Sequence, residues 1–254
     1  MSDFDRNLTA RSGYADQAAI DAGLRAYMIR VYNYMTAGVA LTGAVAWLTF
    51  QAAGGDSIQV IGNQISGLTS FGQAIFSGPL LLILGLGTLG MVFFLSFRIN
   101  RLQASTALVL FMVYAALLGL VLAPIFLQYT GASITQTFFI SAASFGALSL
   151  YGYTTQRDLS PIGSFLIMGL FGLLLAMLVN IFVVSASLNF AISAIGVLIF
   201  AGLTAWDTQR IKEMYSGQDD GTVVGRKAVM GALALYLDFI NLFLFLLRFM
   251  GNRR

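Results

Sequence analysis

The segment Leu235–Gly251, LYLDFINLFLFLLRFMG, is apolar over most of its length, yet Asp238 sits inside it with Asn241 three residues on. An ionisable group in hydrocarbon costs roughly 2.5–3.5 kcal/mol on insertion scales, so one retained there faces a bundle interior or a wet cavity and is a functional candidate by default. At i and i+3 the two polar side chains share one helix face. A second carboxylate, Asp207, closes another apolar run in LTAWDTQRIKEMY (Leu203–Tyr215). A cation, Arg98, closes a third in LSFRINR (Leu95–Arg101). Each has a plainer reading. Asp207 is equally a solvated helix-end residue or the i+3 partner of Arg210. Arg98 is more simply an interfacial anchor whose head snorkels to the lipid headgroups.

Together these residues point to something sharper. Two carboxylates held close in low dielectric do not both ionise cheaply, so they share a proton and titrate as a pair, and a neighbouring guanidinium biases the balance. In a chain without His, this is the most accessible way to build a pH switch. No spacing rule brings Asp207 to Asp238, and the predicted spans set Asp207 shallower by several residues of rise. The two meet if the sixth span runs on past the membrane, which the amphipathic stretch Thr208–Tyr215 allows, or if the seventh starts deeper.

The elements that must position these groups are membrane spans. The chain is 58% hydrophobic and 10% charged, with a mean hydropathy of +0.82, whereas a soluble domain carries about 25% charged residues. Lipid as solvent explains the deficit. Seven apolar runs approach the ~20 residues needed to cross the hydrocarbon: 31–50, 80–97, 104–127, 134–153, 162–184, 188–206 and 228–250. The fold class expected is an all-α integral membrane protein. Asp238 falls about 15 Å from the inner end of the last span, near mid-membrane. Between Val31 and Trp206 the charged residues are Asp56, Arg98, Arg101, Arg157 and Asp158, all in or beside connections.

Placing the N-terminus in the cytoplasm puts eleven of the fourteen Lys and Arg residues inside, as the positive-inside rule demands. The exceptions are Arg248, Arg253 and Arg254. A last segment that re-enters near Asp238 and Asn241 would remove them, but no Gly or Pro lies there to break the helix, so seven full spans are expected. Residues 1–30 read as a flexible cytoplasmic tail that turns helical near Leu24, with no signal peptide. Residues 51–79, rich in Gly, Ser and Gln, read as a connection along the membrane surface, and residues 251–254 as a short C-terminal tail. Asp158-Leu159-Ser160-Pro161 reads as a turn with Pro161 opening the fifth span, and Arg157 with Asp158 as a cytoplasmic cap.

Absences narrow the chemistry. Without Cys or His there is no disulfide, thiol catalysis, Ser-His hydrolysis or HExxH site. The basic pI does not indicate nucleic acid, because the basic residues sit in short segments between apolar runs. An aspartyl protease built on Asp207 and Asp238 would need a GxGD motif, but LYL precedes Asp238 and no PAL motif is present. No enzymatic activity is expected.

Three stretches, GALSLYGYTTQRDLS (Gly146–Ser160), WDTQRIK (Trp206–Lys212) and LYLDFINLF (Leu235–Phe243), resemble the Bax inhibitor-1 family, also called transmembrane Bax inhibitor motif proteins. They come in the family's order and spacing on spans four, six and seven, and the chain looks like a bacterial member. The resemblance implies a seven-helix fold in which the other six surround a central C-terminal helix, an inner-membrane location and a pH-sensitive calcium leak. It implies that Asp207 and Asp238 are the paired aspartates of the pH sensor. It also implies a tie from an arginine at the inner end of span two, matched best by Arg98 with Arg101 close by. Trp206 departs from the family, where Tyr often precedes the aspartate. Ca²⁺ is then the transported ion, with a weak contact at Asp207, Asp238 and Asn241, no tight metal site and no cofactor. The competing expectation is a membrane-embedded regulator of another membrane protein, such as a quality-control protease, that conducts nothing of importance. The partners expected are therefore the lipid bilayer, calcium and, on the second reading, a membrane protein, with no nucleic acid.

Overall fold

Helices begin where the sequence supplies a cap. Thr130, Ser185 and Asp220 each precede an apolar run in extended backbone and accept a backbone N–H through the side chain, satisfying a donor that the first turn leaves open. The computed structural model describes residues 3–61, 64–76, 79–183 and 185–254. In chain order its elements are α1 (Asp3–Ala52), β1 (Gln59–Ile61), β2 (Gln64–Ser66), α2 (Ser70–Phe76), α3 (Pro79–Arg98), α4 (Ala104–Leu122), α5 (Ile125–Gln128), α6 (Gly131–Thr154), α7 (Ser160–Val183), α8 (Ala186–Glu213) and α9 (Gly221–Met250). Among the described residues seven helices are long and apolar enough to cross a membrane. The protein is an all-α integral membrane protein.

The membrane helices differ from the expected spans mainly at three ends. Helix α1 is already formed well before Val31, the sixth membrane helix runs on to Glu213 rather than Trp206, and the seventh begins at Gly221 rather than Ala228. The backbone expected to be a flexible tail is helical from Asp3. It contains no Pro and is rich in Ala, the strongest helix former. From Tyr27 the helix is packed, with Tyr27 and Met28 buried. The third span is interrupted: Pro124 cannot continue a helix, so α4 ends at Leu122 and α5 follows as a separate turn. The first connection carries a small antiparallel hairpin, β1 with β2, pairing Gln59 with Ser66.

α9 is the centre. It packs on α8, α1, α6 and α4, and side chains from Ala228 to Leu247 are buried around it. Small residues let the helices approach closely, as membrane helix packing requires. A Cβ on Gly152 of α6 would stand 2.1 Å from the Ala205 carbonyl oxygen of α8, and one on Gly196 of α8 would stand 2.4 Å from the Phe245 ring of α9. α3 and α7 lie at the rim, packing chiefly on α4 and α8 respectively. Their outward faces, including Leu82, Phe97, Phe165 and Phe182, are exposed to the surroundings, which for these spans is lipid.

The chain's end is laced to the α5–α6 turn. Arg254 N donates to Gln128 O at 3.0 Å, Thr130 N to Asn252 O at 3.2 Å, and Asn252 N to Ser133 Oγ at 2.9 Å. Arg254 also approaches Asp56 at 3.9 Å. The C-terminal tail therefore shares a face with the connections after α1 and α4. α9 is continuous through Asp238 and Asn241, so no break supports a re-entrant last segment.

Candidate functional site

Two contacts set the register of α8 against α9. Ile211 rests on Gly231, where a Cβ would lie 2.9 Å from Ile211 Cγ2, and Phe200 stacks on Phe245 with centroids 5.6 Å apart. Asp207 and Asp238 lie between these contacts and come level because α8 extends past Trp206 and α9 starts early. Their carboxyl groups hydrogen-bond each other. A bond between two acids requires a proton on at least one of them. Asp238 is 5% exposed, and its Oδ2 has no hydrogen-bond partner among the described residues. An unpaired buried acceptor is costly, and a proton, a water or a passing cation would satisfy it. Asp207 is 16% exposed at the side chain and faces Arg210 Nη1 at 3.8 Å.

The other expected members are placed differently. Arg98 is exposed at the end of α3, and among the described residues the ion pair to Asp207 comes from Arg210 instead. The reason is local: at i+3 on the same helix, Arg210 reaches the carboxylate without any tertiary closure, while α3 stays at the rim. Ser96 is the residue of α3 that approaches, lining with Arg210 and Leu237 a cavity of about 140 Å³. Arg101, in the short turn after α3, is exposed as well. Asn241 donates to its own helix at Leu237 O, 2.8 Å away, and does not reach the pair through any hydrogen bond among the described residues. Trp206 lies against Gly163 of α7, where a Cβ would meet its ring at 2.2 Å. Its ring also carries the Arg210 guanidinium at 5.5 Å.

Several residues escaped the sequence reading. Thr208, beside Asp207, ends a run of hydroxyls across three helices: Tyr32 OH lies 2.6 Å from Ser149 Oγ, Ser149 Oγ lies 2.9 Å from Thr208 Oγ1, and Thr208 donates to Thr204 O at 2.8 Å. With the Thr208 proton committed to that carbonyl, Ser149 donates to Thr208 and Tyr32 to Ser149. A second junction joins α1, α4 and α9, where Thr42 Oγ1 lies 2.6 Å from Tyr236 OH and 2.8 Å from Ala115 O. Gln209 clasps the α6–α7 loop: its Oε1 accepts from Leu159 N at 2.8 Å and its Nε2 donates to Arg157 O at 2.8 Å. Lys212 Nζ donates to Tyr153 O at 2.9 Å, at the negative end of α6. Two of the quoted stretches therefore hold each other. In the same loop Asp158 Oδ1 accepts from Ser160 N at 2.8 Å, and the Ser160 amide and hydroxyl hold the Asp158 carboxyl below the usual carboxylate range. The signal for Gln209 and Lys212 was present in the sequence as polar residues continuing a helix beyond its span; their partners were not.

A family model described as "Inhibitor of apoptosis-promoting Bax1" matches residues 24–254. An uncharacterized protein of Rickettsia prowazekii (strain Madrid E) is 48% identical over 100% of both chains. The inner membrane protein YbhL of Escherichia coli (strain K12) is 46% identical over 92% of this chain and 94% of its own. An uncharacterized protein of Caulobacter vibrioides is 42% identical over 100% of both.

Proposed function

This chain belongs to the Bax inhibitor-1 family, and from that premise and its buried aspartate pair we propose that it is a pH-sensitive, calcium-permeable leak. It acts in the bacterial inner membrane, where the similar E. coli protein is named as residing, with its N-terminus in the cytoplasm. The observation that carries the reading is the Asp207–Asp238 contact: two carboxyls share a hydrogen bond on the central helix and its neighbour, and one oxygen is buried without a partner. Gaining or losing the shared proton leaves either two neutral acids or two facing charges, and each changes what holds α8 against α9. Ca²⁺ seeks six to eight oxygens. Two carboxyls fall short of a tight cage, and an ion held weakly can leave again.

The test is Ca²⁺ flux into liposomes holding the purified protein, titrated from acid to mildly alkaline pH, with Asp207→Asn beside the parent. Flux that varies with pH in the parent and loses that variation in the variant is the expected result. No flux above empty liposomes at any pH would transfer the function to the regulator reading, and a search for a bound membrane protein would follow.

A further inference from the structure

Arg248 and Arg253 do nothing in that mechanism. They stand at the end of α9 far from Arg210, Lys212, Arg226 and Lys227, on the face where a positive-inside distribution calls for few cations. Arg254 has Asp56; among the described residues Arg248 and Arg253 make no ion pair. Both line one cavity of about 720 Å³ between α5, α7, α8 and α9.

The cavity is graded along the membrane normal. Its deep walls are apolar, with Leu174 and Leu178 of α7 facing Leu244 of α9. Its upper wall is polar: Asn180 Nδ2 donates to Asn189 Oδ1 at 2.9 Å, with the two arginines opposite. α7 packs chiefly on α8, and Leu174 and Leu178, which line the cavity from α7, are about half exposed. One arginine is held at its side chain and the other at its backbone. The Arg248 guanidinium lies 5.7 Å over the Phe245 ring, and Arg253 pairs through its backbone with Tyr129.

A planar guanidinium matches phosphate oxygens two at a time. Two of them above an apolar slot repel a calcium ion and select an amphiphile with a negative head. We infer that this groove is a binding site for an anionic glycerophospholipid from the leaflet at that end, with the phosphodiester between Arg248 and Arg253 and the chains along Leu174, Leu178 and Leu244. The occupant would bridge α7 to α9 and brace the upper part of the helix that carries Asp238.

The test uses the full chain, stripped of lipid in detergent. Native mass spectrometry and thermal melting are recorded with phosphatidylglycerol, with phosphatidylcholine of the same acyl chains, and with inorganic phosphate. Phosphatidylglycerol should be retained and raise the melting temperature more than phosphatidylcholine does, and inorganic phosphate should do neither. Arg253→Gln lies beyond the last helix and leaves the bundle intact; it should weaken phosphatidylglycerol retention about tenfold through loss of a charge-assisted contact, whereas Arg254→Gln should not. Equal retention of the two lipids, a preference unchanged in Arg253→Gln and Arg248→Gln, or an equal effect of inorganic phosphate would overturn the assignment. None of these outcomes depends on calcium flux.

Discussion

At the residue scale the decisive fact is that Asp207 and Asp238 meet, and that the cation beside them comes from the same helix as Asp207. An ionisable side chain inside an apolar run is visible in a sequence because its cost is large. The partner that stabilises it is less visible, because Arg98 and Arg210 both lie near span ends and spacing does not rank a tertiary tie above an i+3 one. In the structure the i+3 pair is made. Arg98→Ala should therefore leave the pH profile of calcium flux unchanged. Arg210→Gln should move its midpoint, by less than about one pH unit, since an exposed ion pair is worth ~1 kcal/mol or less. A midpoint that moves with Arg98→Ala and not with Arg210→Gln would restore the longer tie. Asp158 supplies a second pH effect, on stability. Its carboxyl is held below the usual range by Ser160. The charged form therefore stabilises the fold fully above the free carboxylate's pKa of about 3.9, and that stabilisation is lost as pH falls through the lowered value. Asp158→Ala should melt below the parent at neutral pH, with the gap closing on acidification. A gap that is constant with pH would mean that the loop does not use the charge.

At the element scale what matters is how closely α6, α8 and α9 pass. The seven apolar runs were legible because hydrocarbon thickness fixes their length. The ends that bring the aspartates level were not, because α8 and α9 continue beyond the lipid, where hydropathy no longer marks them. The break at Pro124 and the helical start of α1 could be anticipated from Pro chemistry and Ala content; the β1–β2 hairpin could not. Close approach is the least legible feature, since Gly146 and Gly152, both well inside α6, look alike in sequence. Only Gly152 meets α8, at a backbone oxygen that cannot swing aside. Gly152→Ala should therefore cost about 1–3 kcal/mol through overpacking, read as a lower melting temperature in detergent. Gly146→Ala has nothing within 4 Å of the new methyl and should be neutral, or stabilising by the helix preference for Ala of up to ~1 kcal/mol. Equal effects at the two sites would mean that α6 and α8 are further apart than described.

At the scale of the whole molecule the arrangement is a claim about sides. Seven crossings put the Asp219–Asp220 turn on one face of the membrane. They put Asp56, the α5–α6 turn and the C-terminal tail on the other, and the contacts of the last four residues agree: Arg254 reaches Asp56, and Asn252 meets Ser133. The three arginines that break the positive-inside pattern were the one sequence feature arguing for a re-entrant end. The structure accounts for them individually, with Arg254 at an aspartate and Arg248 and Arg253 at a groove, so they need no cytoplasmic location. The chain has no Cys, and a single introduced cysteine is therefore a clean reporter of side. With the N-terminus inside, Asp56→Cys and Asn252→Cys should both react with a membrane-impermeant maleimide on intact cells, while Gln218→Cys should react only after permeabilisation. If Asn252→Cys instead behaves like Gln218→Cys, α9 does not complete its crossing and the mid-membrane depth of Asp238 fails with it. If all three invert together, the seven crossings stand and only the proposed orientation is reversed.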